Sequence, residues 1–419
     1  MALAVLTFLV ALALIATERI HRTKVALIGA AIMVLFVSGF DQDKAIEAVD
    51  FNTIGLLAGM MILVYVTQRS GIYDYIAIRA GQLSRGDSFL IVVSLAGTTA
   101  LLSAFLDNLT TILLVVPITF LLADTLDIDP IPLIVIEIIA SNIGGTATLI
   151  GDPPNIIIAG ATDLSFNEFI VNLAPIAALT FVVVTGLLYL YYRSRLRISS
   201  ENRRYIMDLN ARASISDAAE LRRTGPVLVV TILAFFAHQA LHIEPATVAL
   251  TGAAVALLVT RQSLEDALSK IEWPTLFFFV ALFVMVGALE ETGAIGEVAD
   301  GVASLTGGER TAELLGIVWV SGIGSAIVDN IPFTTAMIPV VEQLQEGSGD
   351  DAYWWALSLG ACFGGNATLI AAAANVAAAG LTERAGRPIG FVVFLKIGLP
   401  VTLLSLVMAS AYVALRYVL

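Results

Sequence analysis

The second half of this chain repeats the first at an offset near 222 residues. Val25-Ala26-Leu27-Ile28-Gly29-Ala30-Ala31 aligns with Val248-Ala249-Leu250-Thr251-Gly252-Ala253-Ala254, Phe51-Asn52-Thr53 with Trp273-Pro274-Thr275, and Gly71 with Gly293. Asp107-Asn108 falls on Asp329-Asn330, Ser103 on Ser325 and Pro117 on Pro339. After a two-residue deletion, Gly144-Gly145-Thr146-Ala147-Thr148-Leu149-Ile150 falls on Gly364-Gly365-Asn366-Ala367-Thr368-Leu369-Ile370, and Asn155 on Asn375. Any fold for this chain must therefore be built from two related units.

The repeated segments are apolar. Of 419 residues, 58% are hydrophobic and 14% charged, where a soluble protein carries about 25% charged residues. Runs such as Val25 to Phe40 and Phe169 to Tyr192 suit a hydrocarbon core about 30 Å thick. The competing reading, a large soluble helical protein, would leave too few charges to cover so much apolar helix. Residues 1–16 could be a secretory signal, but no basic residue precedes Glu18, so they read as the first transmembrane helix. The single cysteine, Cys362, excludes an intramolecular disulfide framework and a multi-thiol metal site.

The net charge of −13 resolves into sides. Arg19, Arg22 and Lys24 follow the first helix; Arg69, Arg79 and Arg85 follow the third; eight arginines lie between Arg193 and Arg223; Arg261, Lys270, Arg384 and Arg387 continue the set. One topology places 18 of the 22 basic residues inside, leaving Lys44, Arg310 and Arg416 outside and Lys396 within a span. The positive-inside rule then orients the chain. Both termini are expected outside and the central linker in the cytoplasm, in the plasma (inner) membrane. Residues 88–106 and 111–123 cannot both be simple spans under this pattern, so they read as a re-entrant hairpin. The stretch 71–83 reads as an interfacial helix, and 131–159 as an interrupted span. Each half then has five spans plus a hairpin, and this odd number of crossings inverts the second copy. The expected fold is an all-α polytopic membrane protein of two inverted repeats, with broken helices at the midplane. The repeats occupy 1–192 and 225–419, joined by the linker 193–224, whose basic charge reads as a topology signal in preference to a site for anionic lipid.

Broken helices survive in a bilayer only where protein or a watery cavity satisfies their backbone. Four polar breaks occur here, two in each half, and they supply the candidate substrate and ion ligands. These are Asp107, Asn108, Thr110, Asn142, Gly144, Gly145, Thr146 and Thr148 in the first half, and Asp329, Asn330, Thr334, Gly364, Gly365, Asn366 and Thr368 in the second. Half-helix N-termini there favour anions, while freed carbonyls and side-chain oxygens suit a hard cation. A buried aspartate must be protonated, ion-bound or paired. With no lysine or arginine close in sequence to either tip, Asp107 and Asp329 read as the proton-coupling acids. Sodium at Asp107, Asn108, Asp329 and Asn330 is the alternative. Glu137 and Asp152 are further proton-coupling candidates, although Asp152 equally suits a helix cap. Ser103, Ser325 and Thr180 read as ordinary interhelical hydrogen-bonding residues. Cys362 reads as a packing residue, and His238 and His242 as interfacial ones.

Ser103-Ala104-Phe105-Leu106-Asp107-Asn108, the run Asn142-Ile143-Gly144-Gly145-Thr146-Ala147-Thr148-Leu149-Ile150-Gly151-Asp152-Pro153-Pro154-Asn155, and Gly360-Ala361-Cys362-Phe363-Gly364-Gly365-Asn366-Ala367-Thr368-Leu369-Ile370 carry a family resemblance. The chain resembles the ion-transporter superfamily of arsenite permeases, D-type sodium/proton antiporters, dicarboxylate/sodium symporters and the melanosomal P protein, the P protein branch above all. That resemblance implies a scaffold and a transport domain, often in a homodimer, with hairpins carrying substrate in an elevator-like antiport cycle. It implies no enzymatic activity and no cofactor, with H+ or Na+ as the coupling ion. The implied partners are the lipid bilayer, a small inorganic ion as substrate, and the soluble ATPase that arsenite permeases engage; no nucleic acid is expected. Ser141-Asn142 is followed by Ile143, unlike the Ser-Asn-Thr motif of dicarboxylate symporters. The leading expectation is a secondary active transporter, with proton-coupled efflux of arsenite or antimonite. A sodium/proton antiporter is the alternative, and a sodium-coupled carboxylate symporter the further one. A channel would not need two acids at symmetry-related sites.

Overall fold

The computed structural model describes residues 1–17, 19–196, 198, 207, 209–346 and 349–419, with the backbone alone at 302, 303, 305 and 346. Glu18 and the linker arginines Arg197, Arg203 and Arg204 lie outside the described residues. Among those residues the chain is all helical. The first half contains α1 (Ala2–Ala16), α2 (Arg22–Phe36), α3 (Gln42–Glu47), α4 (Phe51–Gln68), α5 (Ile72–Leu83), α6 (Ser88–Phe105), α7 (Asn108–Leu126), α8 (Ile131–Gly145), α9 (Pro153–Gly160) and α10 (Phe166–Tyr192). The second contains α11 (Ala218–Ala237), α12 (Pro245–Val259), α13 (Leu264–Ser269), α14 (Trp273–Glu291), α15 (Ala294–Thr306), α16 (Arg310–Ile327), α17 (Asn330–Glu346), α18 (Ala352–Gly364), α19 (Ala373–Arg384) and α20 (Phe391–Val413). Every helix of the first half has its counterpart ten labels later, down to the six-residue α3 and α13. Helix α11 starts at Ala218, inside the segment read as linker.

Six of these helices are long and apolar enough to cross a membrane: α4, α6, α7, α10, α14 and the last, which continues in a π-helical turn to Val418. Capping residues set the starts of several helices. Asp50 accepts from the Asn52 and Thr53 amides, Asp87 from Phe89 and Leu90, and Asp217 from Ala219 and Glu220. Ser165 and Glu168 form a reciprocal capping box at α10. Each cap satisfies amides that the first turn leaves open, worth about 1 kcal/mol. The segment 71–83 forms α5, and the interruption foreseen in 131–159 is the stretch between α8 and α9.

Helix packing sorts the helices into two groups, which we label the scaffold and the hairpin unit. In the scaffold, α4 lies along α12 and α2 along α14. In the hairpin unit, α6 packs on α8 as α16 does on α18, and α7 packs on α19 as α9 does on α17. Each contact recurs under the repeat. The repeat fails where the two units meet: α9 packs on α4 and α17 on α14, whereas their counterparts, α19 against α14 and α7 against α4, make at most marginal contact. A cavity of about 570 Å³ opens there between α4 and α7, bordered by Arg69, Asp74, Thr110, Lys270 and Glu272. On the packed side the space shrinks to about 150 Å³, bordered by Asp50, Gly160, Glu290 and Glu342.

Candidate functional site

The four breaks converge. Asn108 and Asn330, the first residues of α7 and α17, each donate a side-chain N–H to the same oxygen, Asp152 Oδ1, at 3.0 and 3.1 Å. Asp152 is fully buried; its Oδ2 has no nitrogen or oxygen donor among the described residues, and the Cys362 thiol lies beside the carboxylate. Although it occupies the N-cap position of α9, its side chain makes no capping bond. The capping role considered for it is therefore not the one its side chain plays, because Pro153 and Pro154 have no N–H to offer it and the Asn155 amide bonds the Asp152 backbone carbonyl instead. Its repeat counterpart is Ala372, so the centre holds one carboxylate and not a symmetric pair.

Asparagines surround it. Asn142 donates to Asn366 Oδ1 at 3.1 Å and Asn375 Oδ1 at 3.0 Å, and accepts from Asn108 at 3.3 Å. Asn375 closes the second break by donating to the Gly365 and Thr368 carbonyls, and Asn155 closes the first by donating to those of Thr146 and Thr148. Among the described residues, Asn366 Nδ2 remains buried without a partner. The threonines stitch the breaks to their neighbours: Thr146 donates to the Asn142 carbonyl, Thr148 to that of Ala104, Thr334 to that of Asn330 and Thr368 to that of Ala326. Glycine is needed where the arms approach. A Cβ at Gly144 would strike the Ala100 carbonyl, and one at Gly364 would sit 2.5 Å from the Gly322 carbonyl oxygen.

The tip aspartates make no hydrogen bond to this centre among the described residues, and their partners differ. Asp107 caps α7, accepting the Thr110 amide at 2.8 Å and the Thr110 hydroxyl. Asp329 accepts the Ile331 amide at 2.9 Å and pairs with Arg22 Nη1 at 2.9 Å. The expectation that no basic residue reaches either tip is thus overturned for Asp329, because the partner comes from α2, 307 positions away. Hairpin tip 1 instead faces an acid. Burial pushes the Glu272 carboxyl up, Asp107 adds repulsion, and Thr275 and Arg22 oppose the shift. The structure does not gather Asp107, Asn108, Asp329 and Asn330 on one point; only the two asparagines share one.

Glu137 is buried in α8, where Oε1 accepts from Thr119 at 2.6 Å and Oε2 has no partner; no hydrogen bond joins it to the cluster. Ser103 and Ser325 bond across helices as expected, to the Ser141 and Ala361 carbonyls. Thr180 does not: its hydroxyl is buried unpaired and the residue fills space in α10. Cys362 is buried beside Asn155, 3.7 Å from its Oδ1, and Ser358 donates to that same oxygen. His238 accepts from the Phe166 amide at 3.1 Å, tying α11 to α10. Arg22, Asn155 and Asn375 were absent from the sequence-based ligand set. The match of Asn155 to Asn375 across the repeat was the available signal for two of them. Arg22 had none, since it reads as one more topology charge.

The arrangement is a buried polar centre of amides, hydroxyls and one carboxylate set among apolar helices. A "46 kDa membrane protein" of Mycobacterium leprae is 40% identical over 99% of this chain and 98% of its own length. A protein of Mycobacterium tuberculosis described as an uncharacterised transporter is 42% identical with the same coverage. The human P protein is 33% identical over 97% of this chain, which spans 59% of that longer protein. The crystal structure of the YdaH transporter of Alcanivorax borkumensis superposes with a TM-score of 0.60 at 17% identity, covering 94% of this chain and 96% of that one, which makes the fold shared. The chain is a membrane transport protein and not an enzyme. Residues 12–360 match the family model described as citrate transporter, and the chain belongs to that family, CitMHS.

Proposed function

We propose that this protein is a proton-coupled secondary transporter in which Asp152 is the coupling acid, exporting a small inorganic ion or metalloid such as arsenite or antimonite. The carrying observation is the single buried carboxylate that accepts from both hairpin tips and whose second oxygen meets no donor stronger than the neighbouring Cys362 thiol. A carboxylate without a basic partner in that setting must hold a proton or a cation. Protonation or cation occupancy changes what the tips can bond to, and this ties hairpin opening to the ion. The surrounding amides and hydroxyls suit a neutral metalloid hydroxide, which needs acceptors and donors but no countercharge.

On this reading the repeats are inverted, the linker and the Arg69–Lys270 border face the cytoplasm, and the 570 Å³ cavity is an inward-facing entrance. The hairpin unit would then move against the scaffold, in a homodimer, to expose the site on the other side. A second reading, coupled carboxylate transport, is favoured by the family match and by the unpaired Asn366 amide, a donor suited to an anion. Purified protein in liposomes with an internal pH dye separates them, with arsenite, sodium, chloride and succinate or citrate supplied in turn. Proton flux driven by arsenite supports the first reading. Flux driven by sodium alone makes the protein a sodium/proton antiporter, and flux with a carboxylate establishes the second reading.

A further inference from the structure

Arg22 is the first residue of α2, where a positive charge opposes the helix macrodipole. Its position is therefore unexplained by the stability of its own helix. The side chain lies over the Phe278 ring of α14, 5.1 Å from the centroid, and reaches Asp329 at 2.9 Å. The other described ion pairs stay inside one unit: Lys44 with Glu291 in the scaffold, Arg310 with Asp350 and Arg387 with Asp124 in the hairpin unit. Arg22–Asp329 crosses between them. The repeat offers no equivalent, since Pro245, the first residue of α12, stands where Arg22 would recur and Asp107 is engaged by Thr110. The pair also lies on hairpin 2, whose arm α17 is packed on the scaffold, and not on hairpin 1, whose arm α7 is free of α4.

We propose that Arg22 is a positioning residue that clasps hairpin tip 2 to the scaffold through Asp329, and that this pair must part for the hairpin unit to change sides. Asp329 thereby serves docking, while Asp152 serves coupling. The inference rests on the moving-hairpin reading above and explains why the two symmetric tip acids have different partners. Pairing with a guanidinium held over an aromatic ring fixes the charge in place. It also makes the packed and unpacked arrangements of α9 and α17 unequal in free energy.

The test reads conformation directly. In a Cys362→Ala background, Asp50→Cys and Gly160→Cys report α4–α9 packing, because a Cβ on Gly160 lies 2.9 Å from Asp50 Cγ. Oxidative cross-linking in vesicles is expected to be fast with Arg22 present and about tenfold slower in Arg22→Gln or Asp329→Asn. The double variant should be no slower than either single one. Arg22→Lys should recover part of the rate, and the swapped pair Arg22→Asp/Asp329→Arg most of it, which separates a clasp from misfolding. Unchanged rates in both single variants, or effects that add in the double variant, overturn the clasp. Loss of proton coupling is scored separately with Asp152→Asn, so the failure of one reading leaves the other standing.

Discussion

The two hairpin tips begin with the same dipeptide, and the structure puts it to two uses. At tip 1, Asp107 turns back to cap its own helix, and α7 borders an open cavity. At tip 2, Asp329 reaches the scaffold through Arg22, and α17 lies against α14. The asparagines behave alike, both donating to Asp152. Identical local sequence thus gives identical inward chemistry and different outward chemistry, because the outward partner belongs to the scaffold, whose paired helices begin with Arg22 in α2 and Pro245 in α12. Thr53 and Thr275 repeat the lesson. Thr53 donates to the Ile156 carbonyl of α9 across the interface, while Thr275 bonds to its own cap, Glu272.

The comparison can be broken in several ways. Asp152→Asn removes the one acid both tips share, and proton-driven flux in liposomes should fall to background while the protein remains folded. Retained coupling would move the acid elsewhere. Gly364→Ala and Gly144→Ala should each cost about 1–3 kcal/mol through overpacking, read as a lowered melting temperature in detergent, since both arms meet backbone at these points. Asp329→Asn and Asp107→Asn should part company. The first should lower the docked population and slow the Asp50–Gly160 cross-linking about tenfold, while the second should leave that rate unchanged and change stability by no more than about 0.5 kcal/mol, asparagine being as good a cap. Equal effects from the two would erase the distinction between the tips. Glu137→Gln should be the mildest, leaving flux within about twofold, because the Thr119 bond to Oε1 can persist with an amide.

Much of this was legible in the residues. The duplication predicted paired helices, and α3 with α13 shows the pairing reaching even a six-residue element. The polar breaks predicted the cluster, since in lipid a broken helix must find partners and here it finds other breaks. Arg22 was not legible. Its role depends on a partner 307 positions away, and a loop arginine that sets topology looks the same as one that reaches into the site. Asp152 was legible only as an alternative, because Asp-Pro-Pro reads equally as a helix start, and what its oxygens accept is decided by the tips that arrive from elsewhere. Thr180 misled for the same reason, since a hydroxyl in a span finds a partner only if a neighbouring helix presents one.

By itself, then, the sequence determined the duplication of the helices, their apolar character and the positions of the polar breaks. Apolar length, caps and repeated motifs are local properties that fix these without reference to the fold. The tertiary structure alone decided which acid sits at the centre and which tip is tied to the scaffold. Those depend on the approach of segments far apart in the chain, and a buried carboxylate takes its character from whatever donor or cation is brought to within about 3 Å of it.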